Sequence, residues 1–109
     1  MRAVVLDGHG GPEVLTVHDV PDPEPAPGEV LVDVVGTACN RADLLQRMGL
    51  YPGPPMDPEI PGLEFAGRVA ALGDGVSRWL VGDAVMAITG GGGYAERAVV
   101  HEDQAVRVP

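Results

Sequence analysis

Short β-branched runs set off by glycine and proline make up most of this chain. Residues 2–6 form such a run, and Asp7-Gly8-His9-Gly10-Gly11-Pro12 then closes it, the pattern of a strand entering a turn. Residues 14–20 alternate, with Val14, Thr16 and His18 on one side and Leu15, Val17 and Asp19 on the other, which predicts a second strand. Residues 21–28 carry a proline at every second position and predict an extended connector. Residues 29–38 give the clearest strand. Val30, Val32, Val34, Gly36 and Ala38 share one face and Leu31, Asp33, Val35 and Thr37 the other, so both faces are mostly apolar and packing on two sides is expected. Further strands are predicted over 65–72, 83–88, 94–100 and 105–108.

One segment reads as a helix. Asn40 can cap residues 40–48, Asp43 three positions on resembles the acid of a capping box, and Leu44, Leu45 and Met48 form an apolar stripe before Gly49. Seven or so short strands and one short helix predict a mainly β fold, a small barrel or sandwich. The 109 residues fit a single domain, with no internal repeat.

Composition narrows the function classes. Sixteen acids against seven bases leave a formal charge of −9, and all seven bases are arginine. That balance disfavours nucleic acid and anionic membrane surfaces as partners, since both are bound through clustered cations. Without lysine the chain can form no Schiff base. The apolar run at the N-terminus is too short for a signal peptide, and no stretch approaches the ~20 apolar residues of a membrane span. The single cysteine, Cys39, permits no internal disulfide, which suits a cytoplasmic setting. Placed at the end of an apolar strand, it reads as a small buried hydrophobe.

Several groups could carry chemistry. Gly90-Gly91-Gly92-Gly93 could cradle a phosphate, but a dinucleotide fingerprint needs a following helix, and residues 94–100 alternate as a strand, so a hairpin or flexible loop is expected. Cys39, His9, His18, His101, Asp43 and Glu64 show no metal-ligand spacing, and no zinc site is expected. Asn40, Arg41 and Asp43 cluster at a strand-to-helix junction, where simple helix capping competes with a binding role. Tyr51 either packs its proline-rich loop, residues 50–61, or lines a cleft. Glu64, inside an apolar stretch, is expected to be buried and hydrogen-bonded.

Taken together, Gly28-Glu29-Val30-Leu31-Val32, Asn40-Arg41-Ala42-Asp43, Pro61-Gly62-Leu63-Glu64-Phe65-Ala66-Gly67, Val81-Gly82-Asp83-Ala84-Val85 and Gly92-Gly93-Tyr94-Ala95-Glu96 resemble the N-terminal, GroES-like catalytic domain of the medium-chain dehydrogenase/reductase superfamily. The resemblance covers the whole chain and implies a GroES-like, partly open β-barrel over residues 1–109. Asn40 stands where the zinc branch has a cysteine and Leu63 where it has a histidine, and the four-cysteine lobe of that branch is absent. Neither a carboxamide nor leucine replaces thiolate or imidazole. The chain therefore resembles the zinc-independent quinone oxidoreductases of the zeta-crystallin and p53-inducible type, to which Gly49, Tyr51 and Pro52 add.

That resemblance implies hydride transfer from NADPH to a quinone or other electron-poor carbonyl compound, with the cofactor held between this domain and a Rossmann domain. It implies that Asn40 and Tyr51 face nicotinamide and substrate as the catalytic positions, that Leu63 forms an apolar wall by the cofactor, and that Asp43 and Glu64 support the site from behind. The Rossmann domain is not within these residues, so the isolated chain is expected to bind NADPH weakly and to turn nothing over unless a parent or separate chain supplies that domain. A stand-alone binding or structural module and an enoyl reductase of the same superfamily are the alternatives.

Overall fold

The computed structural model describes every residue of the chain except Pro52 and Pro54, so the expectation attached to Pro52 lies outside the described residues. Among the described residues seven strands and one α-helix form, in the order β1 (Arg2–Leu6), β2 (Leu15–Asp19), β3 (Glu29–Thr37), α1 (Arg41–Arg47), β4 (Glu64–Leu72), β5 (Ala84–Ile88), β6 (Arg97–His101) and β7 (Ala105–Arg107). β1 and β2 make an antiparallel hairpin in which Arg2 faces Asp19 and Leu6 faces Leu15. The other five strands form one antiparallel sheet, ordered β6-β3-β4-β5-β7, that curls into a half-barrel. This is the mainly β, GroES-like fold with one helix.

Val30 and Val32 of β3, Phe65 and Val69 of β4, and Val85 of β5 fill the concave side of the sheet. Trp79 closes one end, with its indole Nε1 donating to Glu102 O at 2.9 Å and Arg107 over its face at 5.3 Å. The apolar burial is the main source of stability, since each fully buried valine contributes about 1.5 kcal/mol or more. Gly67 permits the tight pairing of β3 with β4, because a Cβ there would lie 2.0 Å from Asp33 O. A smaller cluster, Ala3, Val5 and Ile60, joins the hairpin to the loop before β4.

Three expectations about packing are corrected. Only the first half of β3 is buried: Val35 is 82 % exposed and Thr37 and Ala38 are also exposed, where β6, paired only with Glu29 to Asp33, no longer runs beside β3 and β4 alone continues. Cys39, beyond that end, is exposed rather than buried. The stripe of α1 is inverted. Leu44, Leu45 and Met48 face outward, while Asp43 and Gln46 are buried.

Strand limits shift too. A 3₁₀ turn at Pro12–Val14 delays β2, and the segment before β6 forms only an isolated bridge, Ala95 to Ala3, before regular pairing starts at Arg97. Residues 90–93 are no hairpin, for β5 and β6 are not neighbours. They cross from β5 toward the far edge of the sheet and dock on the way: Gly92 N–H donates to Ile60 O at 2.8 Å, Gly93 N–H to Gly62 O at 2.9 Å, and Tyr94 N–H to Pro61 O at 3.0 Å.

Candidate functional site

The chain leaves β3 at Thr37, passes Ala38 and Cys39, and enters α1 at Asn40, whose backbone is extended (φ −128°, ψ 155°) as an N-cap residue's must be. The Asp43 half of a capping box is formed, with Asp43 Oδ2 accepting the Asn40 N–H at 2.8 Å, and the Asp43 N–H donates to the Asn40 backbone carbonyl at 3.0 Å. The Asn40 carboxamide also reaches away from the helix, and its Nδ2 donates to Glu64 Oε1 at 2.8 Å. Glu64 opens β4 and is half-buried, less enclosed than its apolar sequence neighbours suggest, because Asn40 meets it at the open rim of the sheet. Thr37 Oγ1 ties the two strands at this rim by donating to Glu64 O at 2.7 Å.

Asp43 is buried at the first turn of α1, where a carboxylate is favoured by the helix dipole. Its Oδ2 also accepts a short hydrogen bond from the Tyr94 hydroxyl, while its Oδ1 has no partner among the described residues. Burial, and then the hydrogen bond to the Asp43 carboxylate, hold the Tyr94 phenol far above its ordinary range, so it stays protonated and donating. Tyr94 was expected only as the start of a strand. Its role was signalled by Asp43 itself: an acid carried into the core needs a donor, and Tyr94 is one of two tyrosines in the chain.

The residues singled out from sequence therefore divide. Asn40, Asp43 and Glu64 are linked by direct hydrogen bonds, with Tyr94 added. Leu63, 7 % exposed, sits beside Glu64 in the chain, and its carbonyl accepts the Thr89 N–H at 2.6 Å. Tyr51 is half-buried against Gly53, near the start of the glycine run; among the described residues no hydrogen bond joins it to Asn40. Two mostly apolar concavities lie at this junction, one lined by Glu64 and the other by Asn40. One, of about 600 Å³, is lined by Thr37, Ala38, Glu64, Phe65, Met86 and Ile88 among others. The other, of about 500 Å³, runs past Cys39, Asn40, Asp43, Leu44, Pro61 and Tyr94. Leu63 and Tyr51 line neither.

The N–H groups of Gly92, Gly93 and Tyr94 are already taken by carbonyls of residues 60–62, so this end of the glycine run has none left for a phosphate. Among the described residues no three His, Cys, Asp or Glu side chains converge as a metal site would require, and no helix is long and apolar enough to cross a membrane.

Residues 26–109 match the family model of the alcohol dehydrogenase GroES-like domain. The chain belongs to that family. It is 43% identical over 109 residues to a quinone oxidoreductase of Pseudomonas aeruginosa, covering 99% of this chain and 33% of that protein. It is 38% identical to the human synaptic vesicle membrane protein VAT-1 homolog-like, covering 100% of this chain and 26% of that protein. Its structure superposes on Escherichia coli quinone oxidoreductase complexed with NADPH with a TM-score of 0.92 at 34% identity, across 100% of this chain and 33% of that one. The chain thus spans about a quarter to a third of the length of the curated relatives it matches. The GroES-like domain of the medium-chain dehydrogenase/reductase superfamily expected from the five motifs is the domain found.

Proposed function

We propose that this GroES-like domain is the substrate-side wall of an NADPH-dependent, zinc-independent quinone oxidoreductase, working with a Rossmann domain in a parent or separate chain. The observation that carries the reading is Asn40: an exposed carboxamide lining one apolar concavity and bonded to Glu64, which lines the other, with its backbone held by Asp43. Similarity to quinone oxidoreductases, one of them solved with NADPH, supports the substrate and cofactor classes.

The local chemistry suits a nicotinamide and a quinone at one end only. Apolar walls exclude water from a hydride path, and the second N–H of Asn40 Nδ2 is free to hold a carbonyl oxygen. The nicotinamide, when bound, supplies the hydride. Tyr94 is no proton donor to the product, since its hydroxyl is committed to Asp43. Asp43 and Tyr94 instead hold the junction on which Asn40 rides. Tyr51 and Leu63 belong to this proposal as residues that approach the cofactor once the second domain is in place, with Leu63 occupying the space a metal ligand would need. Gly92 and Gly93 have no N–H group left for a pyrophosphate, so this domain alone binds NADPH weakly.

The test is made on the longer protein that carries this domain, by following NADPH loss on adding 1,4-naphthoquinone. Quinone-dependent oxidation that persists after chelator treatment supports the reading, and an absence of quinone-dependent oxidation refutes it. Asn40→Ala is expected to lower kcat/KM by about tenfold, equivalent to ~1.4 kcal/mol of lost transition-state stabilisation.

A further inference from the structure

The chain has four methionines, and among the described residues one of them has its sulfur in a hydrogen bond. Met56 Sδ accepts the Ile60 N–H at 3.1 Å. The Met56 methyl lies over the glycine run, where a Cβ added to Gly92 would stand 3.5 Å from Met56 Cε. Met56 is nonetheless 40 % exposed and so open to a small oxidant. Ile60 is buried against Ala3 and Val5, and its carbonyl holds the Gly92 N–H at 2.8 Å. The next two carbonyls, of Pro61 and Gly62, hold the Tyr94 and Gly93 N–H groups. Met56 therefore latches the segment on which the glycine run and Tyr94 dock, and Tyr94 leads through Asp43 to the Asn40 N–H. Met48 on the outward stripe of α1 and Met86 on β5 are equally exposed, but neither sulfur is hydrogen-bonded among the described residues.

We propose that Met56 is a modification site for hydroperoxides, and that its oxidation undocks the glycine run and Tyr94 from residues 60–62. The inference goes beyond the hydride-transfer reading and takes nothing from it. The sulfur lone pair not facing Ile60 attacks the terminal oxygen of the hydroperoxide. An S–O bond forms, the O–O bond breaks, and the proton of the attacked hydroxyl passes to the departing oxygen, which leaves as water or an alcohol. Sulfur loses two electrons and the peroxide gains them. The sulfoxide sulfur is electron-poor, so it no longer accepts the Ile60 N–H that faces it. An oxygen added on the Ile60 side instead would stand between two atoms 3.1 Å apart and push them apart. Both sulfoxide epimers thus break the latch, and the side chain over Gly91 and Gly92 turns from apolar to polar. At Met48 and Met86 the same reaction alters only an exposed surface.

The test uses the 109-residue chain with Cys39→Ser, so that the exposed thiol consumes no oxidant, treated with hydrogen peroxide. Peptide mass spectrometry locates the sulfoxides, and residue-resolved hydrogen exchange follows the amides of Gly92, Gly93 and Tyr94 before and after treatment. Once Met56 is oxidised, exchange at these amides is expected to rise about tenfold or more, and methionine sulfoxide reductases of both epimer specificities should return it to its starting rate. The Met48→Leu/Met86→Leu chain should show the full rise. Met56→Leu, which keeps an apolar side chain at this position, should show none on treatment, although Met48 and Met86 are oxidised in it. A Met56 that stays reduced while Met48 and Met86 are oxidised would overturn the proposal. So would exchange at Gly92 to Tyr94 that is unchanged in the Met56 sulfoxide, that rises equally in Met56→Leu, or that stays raised after the reductases have acted. Neither NADPH nor a quinone takes part, so failure here is separable from failure of hydride transfer in the longer protein.

Discussion

Replacing Tyr94 by phenylalanine tests how the helix junction is held. The substitution keeps the ring against Ile60 and the hairpin and deletes only the hydroxyl. Among the described residues Asp43 Oδ2 would then keep one donor, the Asn40 N–H, and Oδ1 none, leaving a buried carboxylate half satisfied. A hydrogen bond to a charged group is worth roughly 1.5–3 kcal/mol, so a loss of about 2 kcal/mol is expected. For a domain of this size that is a fall in Tm on the order of 10 °C. Urea unfolding at neutral pH measures the loss directly. A second readout isolates the hydroxyl. The phenol's pKa is raised in the fold, so its contribution is complete below the ordinary tyrosine value near 10 and declines as pH climbs above that value toward the raised folded one. The native chain should therefore lose stability above pH ~10 faster than Tyr94→Phe. A variant within about 0.5 kcal/mol of the native chain, or parallel alkaline limbs, would refute the account of Asp43 and Tyr94 given above.

Three further outcomes are expected. Val85→Ala, at a fully buried core position, should cost about 2 kcal/mol in urea unfolding, whereas Val35→Ala, on the exposed end of β3, should stay within about 0.5 kcal/mol; equal effects would contradict the placement of the core. Glu102 accepts the Ser77 and Arg78 N–H groups at 3.1 Å each, which lowers its pKa, so its contribution is present above the ordinary glutamate value and is lost as pH falls through the folded one. Glu102→Gln should flatten the acid limb of a stability-versus-pH curve, and an unchanged limb would rule that contribution out. Titration of the 109-residue chain with NADPH by calorimetry should show no micromolar binding, and a micromolar Kd would mean that it holds a phosphate site other than the spent end of the glycine run.

Where the sequence was legible, the signal was local. β-branched runs and alternation located all seven strands, and Asn40 with Asp43 located the start of α1, because strand pairing and helix capping are set by neighbouring residues. What stayed hidden depends on partners far along the chain. The buried side of α1 is chosen by Tyr94, 51 positions after Asp43, and a heptad-style reading of Leu44, Leu45 and Met48 has no access to that. The exposure of Cys39 follows from its place past the end of β3, well beyond the last residue that β6 pairs with. The route of residues 90–93 follows from carbonyls at 60–62, whereas a glycine run by itself signals only a turn. Of the site, Asn40 and Asp43 are paired in the sequence by their capping spacing, and only the fold joins Glu64 to them, through Asn40.

The outward stripe of α1 has a colloidal consequence. Leu44, Leu45, Met48 and Leu50 put a run of carbon in contact with water, on a chain whose formal charge is −9. Mutual repulsion between copies is then what keeps those patches apart. That repulsion reaches about 10 Å at 0.1 M salt and only about 3 Å at 1 M, while attraction between apolar patches is undiminished by salt. Dispersal of the domain in solution is therefore a property of its acids and of the ionic strength around it, and concentrated brine or a pH near 4.5, the sequence isoelectric point, is where copies should begin to cluster through the helix.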